Sequence, residues 1–123
     1  DWSDRRRNNA DRYRALFQDR GLDQLLGLPF CPDLSGHVYN QFVIRVPERD
    51  ELRQHLRSAG IPTEVYYPYP LHMQPAFAYL GHREGDFPET ERACREVLAL
   101  PVFPELTESQ QNTVVDTIAQ IYA

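Results

Sequence analysis

The sequence predicts an α+β domain in which helices cover one face of a small antiparallel or mixed sheet. Longer segments with apolar residues at helical spacing alternate with short segments rich in β-branched and aromatic residues, which are typical of strands. The predicted helices are too few, and the strands too short, for a doubly wound nucleotide-binding fold. The length of 123 residues suits a single domain over 1–123.

The first half of the chain is expected to form a helix, a strand and a second helix. Residues 2–18 place two aromatic side chains four positions apart on one helix face. Residues 38–46 alternate between two faces and carry the side chains that strands favour. Residues 48–59 form the second helix, and Gly60 follows it at the position where a left-handed residue closes a helix in a Schellman motif.

The second half is expected to add a strand at 63–67, a helical turn at 75–80, a helix at 88–98, a strand at 100–103 and a helix at 107–122. Pro68 and Pro70 end the strand before them, because proline has no N–H to donate to a neighbouring strand. Thr107 and Gln110 match a capping box, in which each side chain accepts a backbone N–H at the start of a helix. The helix after Thr107 is therefore the most clearly defined of the predicted elements.

The composition argues against several classes of partner. Thirteen basic and eighteen acidic residues give a net charge of −5, which disfavours nucleic acid or an anionic membrane as the main partner. No apolar run approaches the roughly 18 residues of a membrane span, and no signal peptide is visible, so we expect a cytoplasmic location. Cys31 and Cys94 have neither metal-ligand nor disulfide spacing and are expected to be unreactive. Because the sequence begins with Asp1 rather than Met, we expect further chain upstream.

The segment 60–77 contains three tyrosines, one histidine and four prolines. Proline fixes φ, so less entropy is lost when such a loop holds one shape. Tyr66 and Tyr67 offer rings for stacking and hydroxyls for hydrogen bonds, and His72 can bond a hydroxyl or contact a phosphate, as a nucleotide-sugar requires. The alternative is that the aromatic residues belong to the core and His72 is structural. Asn40, on the apolar face of the first strand, is likewise either bonded to backbone or directed into a shared cleft.

Several short motifs occur in order along the chain: Gly60-Ile61-Pro62-Thr63, Val65-Tyr66-Tyr67-Pro68, Pro70-Leu71-His72, Gln74-Pro75-Ala76-Phe77, Phe87-Pro88 and Leu98-Ala99-Leu100-Pro101. Together they resemble the C-terminal part of the pyridoxal-phosphate-dependent sugar-nucleotide aminotransferases of the DegT/DnrJ type. The resemblance covers essentially the whole chain.

The resemblance implies the C-terminal small domain of an aspartate-aminotransferase-like (fold type I) protein. In that family a homodimer transfers an amino group, usually from glutamate, to a nucleotide-linked keto-sugar used in surface polysaccharides or antibiotics. Residues 1–20 would then be a linking helix and 37–123 the α+β core, with the large pyridoxal-phosphate domain outside this chain. Tyr66 and Tyr67 would line the nucleotide-sugar pocket, and His72 would lie nearby and hydrogen-bond the substrate. The residues of these motifs most closely resemble those of members that act on UDP-linked acetamido-sugars.

Two features limit what this chain is expected to do alone. The family often has histidine where this chain has Tyr66, and a tyrosine carries no positive charge near neutral pH. All thirteen basic residues are arginine, so no side chain offers the amine for a Schiff base with the cofactor. We therefore expect no catalytic, cofactor-binding or metal-binding residue here. The alternatives are a non-enzymatic sugar-nucleotide-binding module and a dimerisation module.

Overall fold

The computed structural model describes residues 1–32 and 36–122 of the chain. Within these residues, the helices are α1 (Trp2–Asp19), α2 (Arg49–Ser58), α3 (Pro88–Glu96) and α4 (Glu108–Tyr122). The strands are β1 (Phe42–Arg45) and β2 (Val97–Leu100). Short 3₁₀ helices span Leu22–Gln24, Leu71–Met73 and Pro75–Leu80. The predicted α+β class is confirmed.

The sheet is antiparallel, one of the two arrangements predicted. Phe42 of β1 lies opposite Leu100 of β2, and the register continues along both strands. A single bridge joins Glu64 to Ala99 on the free edge of β2, and another joins Gly27 to the free edge of β1. The sheet thus brings together, at one edge, the segment before β1, the segment after β2 and the residues that lead into the tyrosine-rich loop.

The hydrophobic core lies between the sheet and the helices. Its largest fully buried apolar side chains come from α1, β1, α2, β2 and α4: Tyr13, Phe17, Phe42, Ile44, Leu52, Leu56, Leu98, Val115 and Ile118. The rings of Tyr13 and Phe42 lie 5.0 Å apart. The segment 1–20, expected as a linking helix, therefore contributes directly to this core. None of the helices that the structure describes is both long and apolar enough to cross a bilayer.

Three predicted strands are shorter or shifted. The strand expected at 38–46 is limited to Phe42–Arg45, because Tyr39 turns the chain with φ of 46°. The strand expected at 63–67 is reduced to one bridge at Glu64. The strand expected at 100–103 runs instead over Val97–Leu100, since the prolines that follow cannot donate to a partner strand.

The predicted helix ends are confirmed where the signal is local. After α2, Gly60 has φ of 77°. The N–H groups of Gly60 and Ile61 donate to the carbonyls of Arg57 and Leu56 at 3.0 and 2.9 Å, which is the Schellman pattern. Before α4, the amide of Thr107 donates to Gln110 Oε1 at 2.9 Å. The helix expected at 88–98 ends earlier, at Glu96, where β2 begins.

Candidate functional site

The tyrosine loop, residues 65–72, leaves the sheet directly after the bridge at Glu64. Its two prolines prevent further pairing with β2. The rings of Tyr66 and Tyr67 lie edge to face with centroids 5.7 Å apart, and the peptide bond between these residues is cis. Tyr66 is 42% exposed and Tyr67 is 69% exposed. The interpretation of these two tyrosines as core residues is therefore wrong, and both rings are accessible to a ligand.

Tyr66 lines an open groove of about 280 Å³, which we call the Tyr66 groove. Its other lining residues come from three segments that meet at the sheet edge: Asn40, Gln41, Pro62, Thr63, Glu64, Ala99, Leu100, Pro101, Val102 and Phe103. The amides of Asn40 and Gln41 and the hydroxyls of Thr63 and Tyr66 are hydrogen-bonding groups, and Phe103 adds an apolar ring. This mixture can bind the hydroxyls and the flat apolar faces of a sugar or a base.

Asn40 does not lie on a strand, because β1 begins two residues later, at Phe42. Asn40 is exposed and lines the Tyr66 groove. Its backbone carbonyl accepts from Arg6 Nη1 at 3.3 Å. Of the two interpretations of Asn40, this position favours a side chain at a cleft.

His72 lies in a different place from the two tyrosines. Its side chain is 7% exposed, and its Nε2 lies 3.7 Å from Oε1 of Glu91, which is too long for a hydrogen bond. Within the described residues this Nε2 is buried and makes no hydrogen bond. The ring packs edge-on against Phe87, with centroids 4.8 Å apart. The structure therefore brings Tyr66 and Tyr67 together and holds His72 against α3.

Beside His72 is a cavity of about 310 Å³ with a mainly apolar lining: Leu71, His72, Phe77, Leu80, His82, Phe87 and Thr90. This lining shares no residue with that of the Tyr66 groove. Glu91, at the edge of this region, accepts the N–H of Gly85 at 2.8 Å. One carboxylate thus contacts both the end of the tyrosine loop and the loop before α3.

Phe103, which lines the Tyr66 groove, and Glu91, which contacts His72, were not predicted from the sequence to lie at a site. The position of Glu91 near the start of α3 is explained equally well by the helix dipole, which hides its second role. The sequence did contain one indication that Glu91 is buried. It lies three residues before Cys94, and both residues are on the buried face of α3. Phe103 was expected in a strand, and only the tertiary fold places it beside Tyr66.

Neither Cys94 nor the metal-binding side chain types of the described residues indicate a reactive site. Burial raises the pKa of the Cys94 thiol, which keeps it protonated and agrees with the expected unreactive cysteine. Within 1–32 and 36–122, no three His, Cys, Asp or Glu side chains group as a metal site requires.

The sequence profile of the DegT/DnrJ/EryC1/StrS aminotransferase family matches residues 1–119. The chain belongs to this family. It is 48% identical over 121 residues to a pleiotropic regulatory protein of Geobacillus stearothermophilus, covering 98% of this chain and 32% of that protein. It is 37% identical over 121 residues to the dTDP-3-amino-3,4,6-trideoxy-alpha-D-glucose transaminase of Streptomyces venezuelae, covering 97% of this chain and 31% of that enzyme.

The fold of this family member is also that of a solved relative. The crystal structure of S. venezuelae DesV in complex with a ketimine intermediate matches it with a TM-score of 0.87 and 36% sequence identity. The match covers 98% of this chain and 32% of DesV. The chain spans about a third of the length of the curated relatives it matches.

Pyridoxal phosphate is the cofactor of aminotransferases in this family, and a lysine side chain holds it as a Schiff base. The thirteen basic residues of this chain are all arginine, whose guanidinium stays protonated and cannot form that bond. The residues present here therefore do not fit covalent attachment of the cofactor.

Proposed function

We propose that this chain is the C-terminal small domain of a pyridoxal-phosphate-dependent aminotransferase acting on a nucleotide-linked keto-sugar. Its role is to supply part of the substrate-binding surface through Tyr66 and Tyr67, with His72 at the neighbouring apolar cavity where the tyrosine loop ends. The observation that carries the proposal is the exposed pair of tyrosine rings beside the Tyr66 groove, in a chain that matches this family over residues 1–119.

The groove chemistry supports a sugar-nucleotide more than a small amino acid. Tyr67 presents a largely exposed ring on which a base can stack, and the amides at 40–41 offer both donors and acceptors for sugar hydroxyls. The Streptomyces relative carries a dTDP-linked sugar in its name, whereas the motif wording favours UDP-linked acetamido-sugars. Both nucleotide classes belong in the test.

The proposed partners are the cofactor-bearing domain of the same protein and a second copy of that protein. Relatives about three times as long as this chain leave room for such a domain. Several large apolar side chains on or near the tyrosine loop are exposed, which suits a surface covered in the complete protein: Tyr69, Leu71, Met73, Tyr79, Leu80 and Phe87.

The direct test uses the longer protein that contains this chain. With glutamate and a UDP- or dTDP-linked keto-sugar, we expect mass spectrometry to show the keto oxygen replaced by an amino group. Tyr66→Ala and Tyr67→Ala should raise KM for the sugar-nucleotide and leave KM for glutamate unchanged. Phe30→Ala is the matched control, because Phe30 is 85% exposed and lies outside the Tyr66 groove. Equal KM values in all three variants would contradict the assigned role.

A second test uses this chain alone. Titration with UDP-N-acetylglucosamine and with dTDP-glucose, followed by NMR, should shift Tyr66 and Tyr67 with a dissociation constant of roughly millimolar size. His72 should shift only if ligand binding moves the segment that holds it. The absence of any shift at the tyrosines at saturating ligand would remove the binding role.

The alternative function is a non-enzymatic sugar-nucleotide-binding or dimerisation module, which the absence of lysine in this chain favours. Borohydride reduction after addition of pyridoxal phosphate distinguishes this alternative from the aminotransferase proposal, with peptide mass mapping as the readout. The longer protein should retain the cofactor on a lysine outside residues 1–123, whereas this chain should retain none on a side chain. A longer protein with no reducible adduct would favour the non-enzymatic module.

A further inference from the structure

Three consecutive carbonyls after β2, those of residues 101–103, each contact a side-chain donor from α1. The hydroxyl of Tyr13 donates to the first carbonyl at 2.9 Å. Arg6 Nη1 donates to the second at 3.5 Å, and Asn9 Nδ2 donates to the third at 2.8 Å. Pro101 begins this segment and Pro104 follows it, so strand pairing does not continue there and its carbonyls need other donors. The wall of the Tyr66 groove formed by 101–103 is therefore held by a helix, not by the sheet.

The three donors lie on one face of α1. Positions 6, 9 and 13 are separated by three and four residues, which places them in one row along a helix. Burial raises the pKa of the Tyr13 hydroxyl, so it keeps its proton and remains a donor. Gln111 of α4 fixes this face further, because its Nε2 donates to the carbonyl of Asn9 at 2.7 Å.

Arg6 also reaches residues 39–40, which precede β1 and lie beside 101–103 in continuation of the β1–β2 pairing. Its Nη1 lies 3.2 Å from the carbonyl of Tyr39 and 3.3 Å from the carbonyl of Asn40. One Nη1 has two N–H bonds and here meets three carbonyls, so the bonds are shared, and the positive charge strengthens each of them. Arg6 is thus a single group that joins residues 39–40 to Val102, just beyond the end of the β1–β2 pair.

We propose that Arg6 is a positioning residue for the candidate nucleotide-sugar site, fixing the separation of residues 39–40 and 101–103 from its place on α1. That the groove binds a nucleotide-sugar rests on the proposed function. The clamp, by which we mean the bonds from Arg6 to residues 39, 40 and 102, rests only on the contacts described above. A groove with fixed walls loses less entropy when a ligand binds, so the clamp strengthens binding without touching the ligand.

The test compares Arg6→Met, which keeps the side-chain stem and removes the donors, with Arg6→Lys, which keeps the charge and some donors. Arg5→Met is the matched control, because Arg5 is exposed on the same helix turn. In the NMR titration with UDP-N-acetylglucosamine, Arg6→Met should raise the dissociation constant roughly three- to tenfold, the effect of one or two hydrogen bonds. Arg6→Lys should restore part of the affinity, and Arg5→Met should match the unaltered chain. Thermal melts of all variants show whether the fold is intact.

Two readouts separate this inference from the proposed function. If the unaltered chain binds no nucleotide-sugar, the proposed function fails, and the clamp is judged from NMR relaxation of the backbone amides without ligand. Arg6→Met should then increase backbone motion in both segments together, at residues 40–41 and at 102–103, while β1 remains rigid. Unchanged affinity in a folded Arg6→Met chain, or increased motion in one segment only, would overturn the clamp.

Discussion

Glu91 shows how one buried residue can connect two loops. Its carboxylate accepts the amide of Gly85 and lies against His72, and its side chain is 7% exposed. Removing the carboxylate takes the acceptor away from the Gly85 amide and leaves a gap beside the buried His72 ring. The sequence could show that Glu91 lies near the start of α3, but not that His72 would approach it from another segment.

We therefore expect Glu91→Ala to lower the free energy of unfolding by about 1–3 kcal/mol, because the amide of Gly85 loses its acceptor and the buried His72 ring loses a packing neighbour. Glu91→Gln should cost less, since its amide oxygen can still accept from Gly85. Glu89→Ala is the control and should change stability by less than about 0.5 kcal/mol, because the Glu89 side chain is 78% exposed. Urea unfolding of the three variants provides the measurement, and a loss in Glu91→Ala no larger than in Glu89→Ala would refute this role.

Among the helices and strands, features that depend on nearby residues could be predicted from the sequence, and features that depend on distant segments could not. The capping box before α4 and the Schellman closure after α2 depend on residues within one or two helix turns, and both form as expected. The strands depend on which distant segment supplies a partner. The apolar run at 97–100 was therefore predicted partly as helix. Residues 38–41 were predicted as strand, although Tyr39 turns the chain. The groove that these segments form could not be predicted for the same reason.

The capping box offers a prediction at this scale. Thr107→Ala removes the Oγ1 that accepts the N–H of Gln110 at 3.2 Å. The free energy of unfolding should fall by about 1 kcal/mol, as is typical for the loss of an N-cap. Thr113→Ala, an exposed change within α4, should be neutral or slightly stabilising, since alanine has the higher helix propensity. Equal effects of the two substitutions in thermal or urea unfolding would contradict the capping role.

For the whole molecule, the buried Tyr13 predicts sensitivity to alkaline pH. Burial raises its pKa above the ordinary value of 10.0. Above about pH 10 the unfolded chain releases this proton while the folded chain retains it, so stability falls as pH rises through that range. The slope contributed by one such tyrosine approaches about 1.4 kcal/mol per pH unit.

Tyr13→Phe tests this assignment, because phenylalanine fits the same ring site and does not titrate. Near neutral pH the variant should be less stable by about 1 kcal/mol, through loss of the hydrogen bond to the Pro101 carbonyl. Above pH 10 the two stability curves should approach each other, since only the unaltered chain loses the contribution of Tyr13. Urea unfolding across this pH range is the measurement, and curves that stay parallel would assign the alkaline loss to other groups.

The bonds from α1 to the groove wall also decide where this domain can be exchanged between relatives. A chimera joined between α1 and β1 would combine the donors at positions 6, 9 and 13 from one parent with the carbonyls at 101–103 from another. A junction placed before Trp2 keeps donors and acceptors from the same parent. Transplants that aim to alter the Tyr66 groove should therefore move the helix together with the groove, because α1 holds the carbonyls at 101–103.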